Sequence, residues 1–462
     1  MKDGVEGYDP KTVELLSFNR AVPAFLDGRD SPRAFLERCL ETIEAREPDV
    51  RAFVTLNAEG ARKAADAANE RYKAGRALSC VDGMPVAIKD VFDTEDMPTR
   101  MGSPIFDDAK PGYDAASVFW LRRGGAVILG KTVTTEFAFG RPGPTRNPWD
   151  SARTPGGSSS GTAAAVGAGM VPVGTGSQVR GSVMRPAAFC GTYALKPSYG
   201  AINIQGGFPS PPSIAHLGVL GGTLTDTWRT AHYISNAAGG DPGHRGLGGG
   251  SALPAERKPA RLARLDTAGW AATPEETRAV FERLLADIAA KGVEIVDRRG
   301  TPEIEALEQQ LVGLTPVIME VLTWEGRYPL ALYAARYPDK LGEAVAARVK
   351  ASEQMTRAQY EIALDYLAEL RRRFEALRGR VDGCIALTAT GAAPEGLAVG
   401  DPVYGDVSSG LLAPAFNLPM LTIEGMPLGA QVIGFRGTDY DLAGLAHWIT
   451  HNFIRRVRPA EG

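Results

Sequence analysis

Pro155-Gly156-Gly157-Ser158-Ser159-Ser160-Gly161 is followed, after a stretch of small residues, by Gly176-Ser177-Gln178-Val179-Arg180-Gly181-Ser182. Neither run suits the middle of a core element. Glycine loses the most backbone freedom on folding and is kept where the chain needs positive φ or a close approach. Serine in such a run gathers hydroxyls and bare backbone N–H groups in one place. Acyl transfer needs that combination: a hydroxyl nucleophile, a proton relay and N–H donors for an oxyanion. Between the runs, Thr162-Ala163-Ala164-Ala165-Val166-Gly167-Ala168-Gly169 predicts a buried helix packed tightly against a strand at residues 171–175.

The signals outward from this centre alternate between strand and helix. Apolar runs at 85–88, 126–129, 192–196, 261–265, 293–296, 384–388, 420–423 and 430–434 read as strands. Helical spacing marks residues 58–74, 114–123, 273–291 and 439–453, and Ser31-Pro32 opens a further helix as N-cap and first helical residue. The Gly- and Pro-rich tract 239–258 reads as a surface loop. Residues 301–380 are mostly helical, with Tyr360, Leu364, Leu367 and Phe374 on one side of a long helix. The expected fold class is α/β: one large α/β/α sandwich around a mixed twisted sheet, with a helical cap or insertion in the C-terminal half. Residues 1–75 are expected as an N-terminal helical layer and 76–460 as the core, with the insertion at about 301–380.

Composition narrows the function. The 462 residues are 44% hydrophobic and 23% charged, ordinary for a globular protein. A net charge of −3 does not favour nucleic acid or an anionic membrane as partner. The four cysteines, Cys39, Cys80, Cys190 and Cys384, are far apart, which suggests buried thiols in a reducing, cytoplasmic setting. Residues Met1 to Glu6 are acidic and lack an apolar segment, so no secretory leader is expected there. No His, Cys and carboxylate spacing suggests a metal site, and neither metal nor cofactor is expected.

Three motif readings compete. Gly125 to Thr132 matches a phosphate-binding GxxxxGK[ST] loop, but its four middle residues are themselves an apolar strand and cannot wrap a phosphate. Gly157-Ser158-Ser159-Ser160-Gly161 matches a nucleophile elbow centred on Ser159, yet nothing marks His216, His232, His244, His447 or His451 as its base, although His216 in its Pro-rich surroundings could lie near the site. The third reading pairs the serines with Lys89, which ends an apolar strand where desolvation can lower its pKa. Alone, Lys89 would read as an ordinary salt-bridged lysine.

Lys89 is not alone. Gly83 to Asp90, Gly130-Lys131-Thr132 with Glu136-Phe137, Pro155 to Gly161, Gly176 to Ser182, Arg185 to Gly191 and Leu195-Lys196-Pro197 recur in one order, and Leu418-Pro419 and Gly429 to Gly434 follow. With these motifs the chain resembles the amidase signature family from about Ser31 to Arg455. The resemblance implies a Ser–cis-Ser–Lys triad: Ser182 as nucleophile, Ser158 as bridge after a cis peptide from Gly157, and Lys89 as base. The two serines stand 24 positions apart, room for one helix and one strand. It also implies an oxyanion hole from the N–H groups of Val179, Arg180, Gly181 and Ser182, with Ser159 and Ser160 supporting the loop. Many members carry Asp in place of Gln178 and Gly in place of Arg180. Arg185 matches an arginine that holds a substrate carboxylate in malonamidase-like members, and a structural ion pair is its plain alternative. Gln178, Arg180 and Arg185 are the substrate-binding candidates.

The expected activity is hydrolysis of a small-molecule carboxylic amide to acid and ammonia or amine. The alternatives are the amidase subunit of an aminoacyl-tRNA amidotransferase, releasing ammonia from glutamine for a partner protein, and a non-catalytic scaffold. A homodimer is the expected assembly, as the commonest among soluble proteins.

Overall fold

Eleven strands form one mixed sheet in a computed structural model that describes residues 7–107, 110–208 and 211–454. The leader expectation for Met1 to Glu6 and the end of the resemblance at Arg455 lie outside the described residues. In chain order the strands are β1 (Phe53–Leu56), β2 (Pro85–Lys89), β3 (Val127–Thr132), β4 (Val173–Gln178), β5 (Tyr193–Lys196), β6 (His216–Gly221), β7 (Arg261–Arg264), β8 (Glu294–Val296), β9 (Gly383–Leu387), β10 (Ala415–Ile423) and β11 (Met426–Ile433). Their order across the sheet is β1-β3-β2-β4-β6-β5-β10-β11-β9-β7-β8. Strand β2 runs parallel to both β3 and β4, and β7 parallel to β8 and β9; the remaining pairs are antiparallel.

The small-residue helix is Ser160–Gly167, with every residue buried. Its composition permits contact that larger side chains would block. A Cβ on Gly174 of β4 would come within 2.6 Å of Thr162, and one on Gly161 within 2.3 Å of the Ala52 carbonyl. Packing this close brings the start of the helix, with Ser158 just before it, against the end of the sheet where β4 runs into Ser182. Burial of Val166 alone contributes about 1.5–3 kcal/mol.

Ser31 caps the helix Pro32–Val50, its hydroxyl accepting from Ala34 N at 3.1 Å. Elements that the sequence reading did not mark include β1, β6 and the helices Phe18–Leu26, Leu224–Ala238 and Val403–Gly410, and β10 starts earlier than expected. Residues 53–56 add an edge strand, β1, that the sequence pattern did not reveal; its four residues alternate between half-buried and exposed. Strand β10 extends from Ala415 through Pro419, beyond the expected 420–423. Proline cannot donate to a ladder, and the register with β11 shifts between Leu418 and Leu421. His216, expected in a Pro-rich loop, opens β6 and pairs with Gln178.

Residues 301–380 cross from β8 to β9 as five helices: Pro302–Leu311, Leu314–Glu325, Arg327–Arg336, Glu343–Gln354 and Arg357–Glu375. Thr356 and Gln359 form a reciprocal capping box on the last of these, which buries Ala363, Leu367, Leu370 and Phe374. The buried carboxylate of Glu136 joins this cap to the core, accepting from Gly342 N at 3.1 Å and from Ser103 Oγ at 3.3 Å. No described helix is long and apolar enough to cross a membrane.

Candidate active site

Lys89 is the last residue of β2 and is fully buried. Its Nζ lies 2.7 Å from Ser158 Oγ and 2.9 Å from Ser177 Oγ, with the Ser177 carbonyl at 3.4 Å. No described carboxylate comes within ion-pair distance of it. Burial therefore acts without compensation and pulls the ammonium well below the ordinary lysine range. Lys131 on the neighbouring strand is also buried, but it is paired to Asp90 at 3.0 Å and bonded to Thr99 Oγ1 at 2.8 Å. The Lys131 arrangement is the salt-bridged reading that Lys89 alone would have received. It also fills the place where a GK[ST] loop would present its lysine, on a strand with no phosphate cradle.

The Gly157–Ser158 peptide is cis, as the resemblance implied. Ser159 N donates to the Ser182 carbonyl at 3.2 Å, which ties the two serine-rich runs together. Ser160 Oγ donates to the Val133 carbonyl. Ser159 is fully buried, so it does not present an elbow nucleophile to solvent. The five histidines are engaged elsewhere, with His216 Nδ1 on the Ile214 carbonyl, His232 on Gly249, His244 on Arg436, His447 on Pro254 and His451 on Glu256.

Ser158 and Ser182 line one cavity of about 250 Å³. Among the described residues, the N–H groups of Val179, Arg180, Gly181 and Ser182 donate to no protein acceptor, so this loop presents free donors beside Ser182. Gly181 has φ +73°, and a Cβ there would meet Gly405 at 3.1 Å; a Cβ on Gly405 would meet Gly181 at 2.2 Å. Two backbones in near contact thus fix the donor loop against the helix Val403–Gly410.

The structure separates the three substrate-binding candidates. Gln178 is turned away: its carbonyl oxygen accepts from Val183 N and Met184 N, and its amide nitrogen donates to Ser409 Oγ at 3.1 Å. Its polar atoms are used up in bracing the loop, and it does not line the cavity. Arg180 reaches the cavity wall, but its fork grips buried Asp406 at 2.9 and 2.7 Å. The structural ion pair considered for Arg185 is therefore made by Arg180. Arg185 has no described carboxylate within ion-pair distance. It is 4% exposed and lines the cavity, donates from Nη2 to the Gly157 carbonyl at 2.6 Å, and leaves Nε and Nη1 unpartnered. Burial lowers it to about 10, still charged at neutral pH.

Two contributors escaped the sequence reading. Ser177 was present in the second run without an assigned role. Arg348, on the cap helix Glu343–Gln354, carries no local signal; it lines the cavity with its guanidinium 3.6 Å from the centre of the Phe139 ring. Burial and the nearby Arg180 bring Arg348 down to about 10.

Known proteins share this architecture. A solved structure described as an amidase superposes with a TM-score of 0.82 at 28% identity, covering 95% of this chain and all of the other. Among curated proteins, the chain is 40% identical over 236 residues to a glutamyl-tRNA(Gln) amidotransferase subunit of Chloroflexus aggregans, 50% of this chain and 48% of that one. The same subunit of Acidothermus cellulolyticus is 43% identical over 223 residues, 47% and 43% of the two chains. The chain thus spans about half the length of the curated relatives it matches. The family model named Amidase matches residues 34–443, and the chain belongs to the Amidase family.

Proposed function

We propose that the protein hydrolyses a carboxylic amide through an acyl-enzyme on Ser182, with Lys89 as base and Ser158 as proton bridge. The observation that carries this reading is a buried lysine with no carboxylate partner, 2.7 Å from a serine that shares a cavity with Ser182. Neutral Lys89 takes a proton from Ser158 as Ser158 takes one from Ser182. Ser182 Oγ attacks the carbonyl carbon, and the free N–H groups of residues 179–182 receive the oxyanion. The proton returns to the departing nitrogen, and water then hydrolyses the ester. Ser177 holds the lysine amine from its other side.

The substrate is an amide that also carries a carboxylate, held by Arg185 with Arg348 from the cap. Arginine forks suit carboxylates, and a low-dielectric cavity strengthens the pairing. Likeness to the amidotransferase subunits favours a second reading, in which the amide is glutamine and the ammonia passes to a partner protein.

The test is ammonia release by the purified chain from succinamate, malonamate, L-glutamine, and neutral amides of similar size. Turnover of succinamate or malonamate without any partner supports the first reading. Turnover of glutamine alone, or only with a partner present, supports the second.

A further inference from the structure

Ser158 and Ser182 form part of two cavities. Besides the large one with the arginines, they line a chamber of about 20 Å³ whose other walls include Ser177, Val91, Ile204 and Ala215. A water needs roughly 10–15 Å³ of such room, so the chamber holds one small molecule and little more. Ser177 lines this chamber and does not line the large cavity. Of the two serines that contact the Lys89 amine, Ser158 therefore borders both spaces and Ser177 the small one alone.

We propose that the small chamber receives the leaving group and then the hydrolytic water, which restricts the protein to primary amides. The inference rests on the Ser182 acyl-enzyme reading and fixes the amine half of its substrate. In acylation the Ser182 Oγ–carbonyl carbon bond forms and the carbon–nitrogen bond breaks. The nitrogen takes the proton that left Ser182 through Ser158 and departs as ammonia. In deacylation water occupies the same place and passes a proton to Ser158. Its oxygen bonds to the carbonyl carbon, and Ser182 Oγ leaves with a proton. Ammonia and water are nearly the same size, so one chamber serves both steps. Its walls are stitched together: Phe208 N donates to the Val91 carbonyl at 2.8 Å, and Phe92 bridges Gly207. Val91 and Phe92 are almost wholly buried, and close-packed walls of this kind do not swell readily.

The experiment compares succinamate with its N-methyl and N-butyl derivatives, and benzamide with the same two derivatives, on the wild-type chain and on Ile204→Ala and Ala215→Val. The expected result is a stepwise fall in kcat/KM with N-alkyl size, reaching at least roughly a hundredfold for butyl, because overpacking is penalised at that scale. Ile204→Ala recovers roughly tenfold for the N-methyl amides. Ala215→Val lowers kcat for the primary amide with KM little changed. Equal kcat/KM across a series, with ammonia release from the primary amide intact, overturns the chamber assignment and leaves the acyl-enzyme reading standing. Failure of every amide in both series to acylate Ser182 overturns both.

Discussion

Lys89 Nζ and Ser158 Oγ lie 2.7 Å apart with no described carboxylate near enough to hold the lysine charged. One strand away, where Lys131 pairs in register with Ile88, a second of the three buried lysines is paired with Asp90, while the third, Lys196, donates to the Pro197 carbonyl. Lys89 and Lys131, of similar burial, thus have opposite electrostatic settings. Burial lowers both, but the Asp90 charge opposes the fall at Lys131. Lys89 is suited to be a neutral base and Lys131 to hold the fold.

The two lysines should respond differently to substitution. Lys89→Met is expected to lower kcat by about 10²–10⁴-fold, the usual contribution of a general base. It should not lower Tm, because a desolvated amine is removed. Lys131→Met leaves Asp90 buried and unpaired and should destabilise by about 3–5 kcal/mol. Thermal melts and saturation kinetics of both variants check this. Wild-type kcat in Lys89→Met would make that lysine structural.

The wild-type pH profile has a fixed sign. The working form of Lys89 is neutral, so kcat rises with pH as the ammonium loses its proton and then levels off. Because burial lowers the lysine, the plateau should begin well below the range of an exposed lysine. A profile that climbs only near the ordinary lysine value would contradict the burial argument.

Arg185→Met should reduce kcat/KM for carboxylated amides by roughly ten- to a hundredfold, the range of a lost hydrogen bond to a charged group. Neutral amides of equal size should change much less. Arg348→Met should act in the same direction. Equal losses for both amide classes, measured side by side, would reduce these arginines to packing.

Arg180 has a different expectation. Taken alone, its bulk beside the oxyanion loop would lead Arg180→Gly to admit larger acyl groups. The fork on Asp406 changes that, since removing it strands a buried carboxylate that also accepts from Thr315 Oγ1. Arg180→Gly should therefore destabilise by about 3–5 kcal/mol, and adding Asp406→Asn should restore much of the loss. Denaturant melts of the two singles and the double give the coupling directly.

Much of this arrangement was legible in the sequence because glycine and serine runs encode local backbone demands. The runs at 155–161 and 176–182, the small-residue helix between them and Lys89 at a strand end are all local patterns. The partners of the arginines were not legible. Asp406 lies 226 positions from Arg180, and Arg348 enters from a cap helix whose own pattern only reports the burial of Val345 and Val349. Gln178 reads as a substrate-binding candidate by its place in the second Gly- and Ser-rich run; the alternation of a strand sends its side chain to the amides of Val183 and Met184 instead. Strand β1 was hidden because four half-exposed residues at a sheet edge carry too little periodicity.

The donor loop can be probed without touching a donor. Gly405→Ala places a methyl where Gly181 already stands, so residues 179–182 must shift. The expected loss in kcat is about 10²–10³-fold, comparable with removing an oxyanion donor. Circular dichroism should remain that of the folded protein. Unchanged kcat would show that the loop does not serve the oxyanion.

The mechanism requires that Ser182 carry the acyl group. Intact-mass spectrometry after acid quench of a slowly hydrolysed amide, followed by peptide mapping, reads this directly. The expected result is an acyl adduct on the peptide containing Ser182, absent in Ser182→Ala and accumulating more slowly in Lys89→Met. An adduct on Ser159, or wild-type turnover by Ser182→Ala, would contradict it.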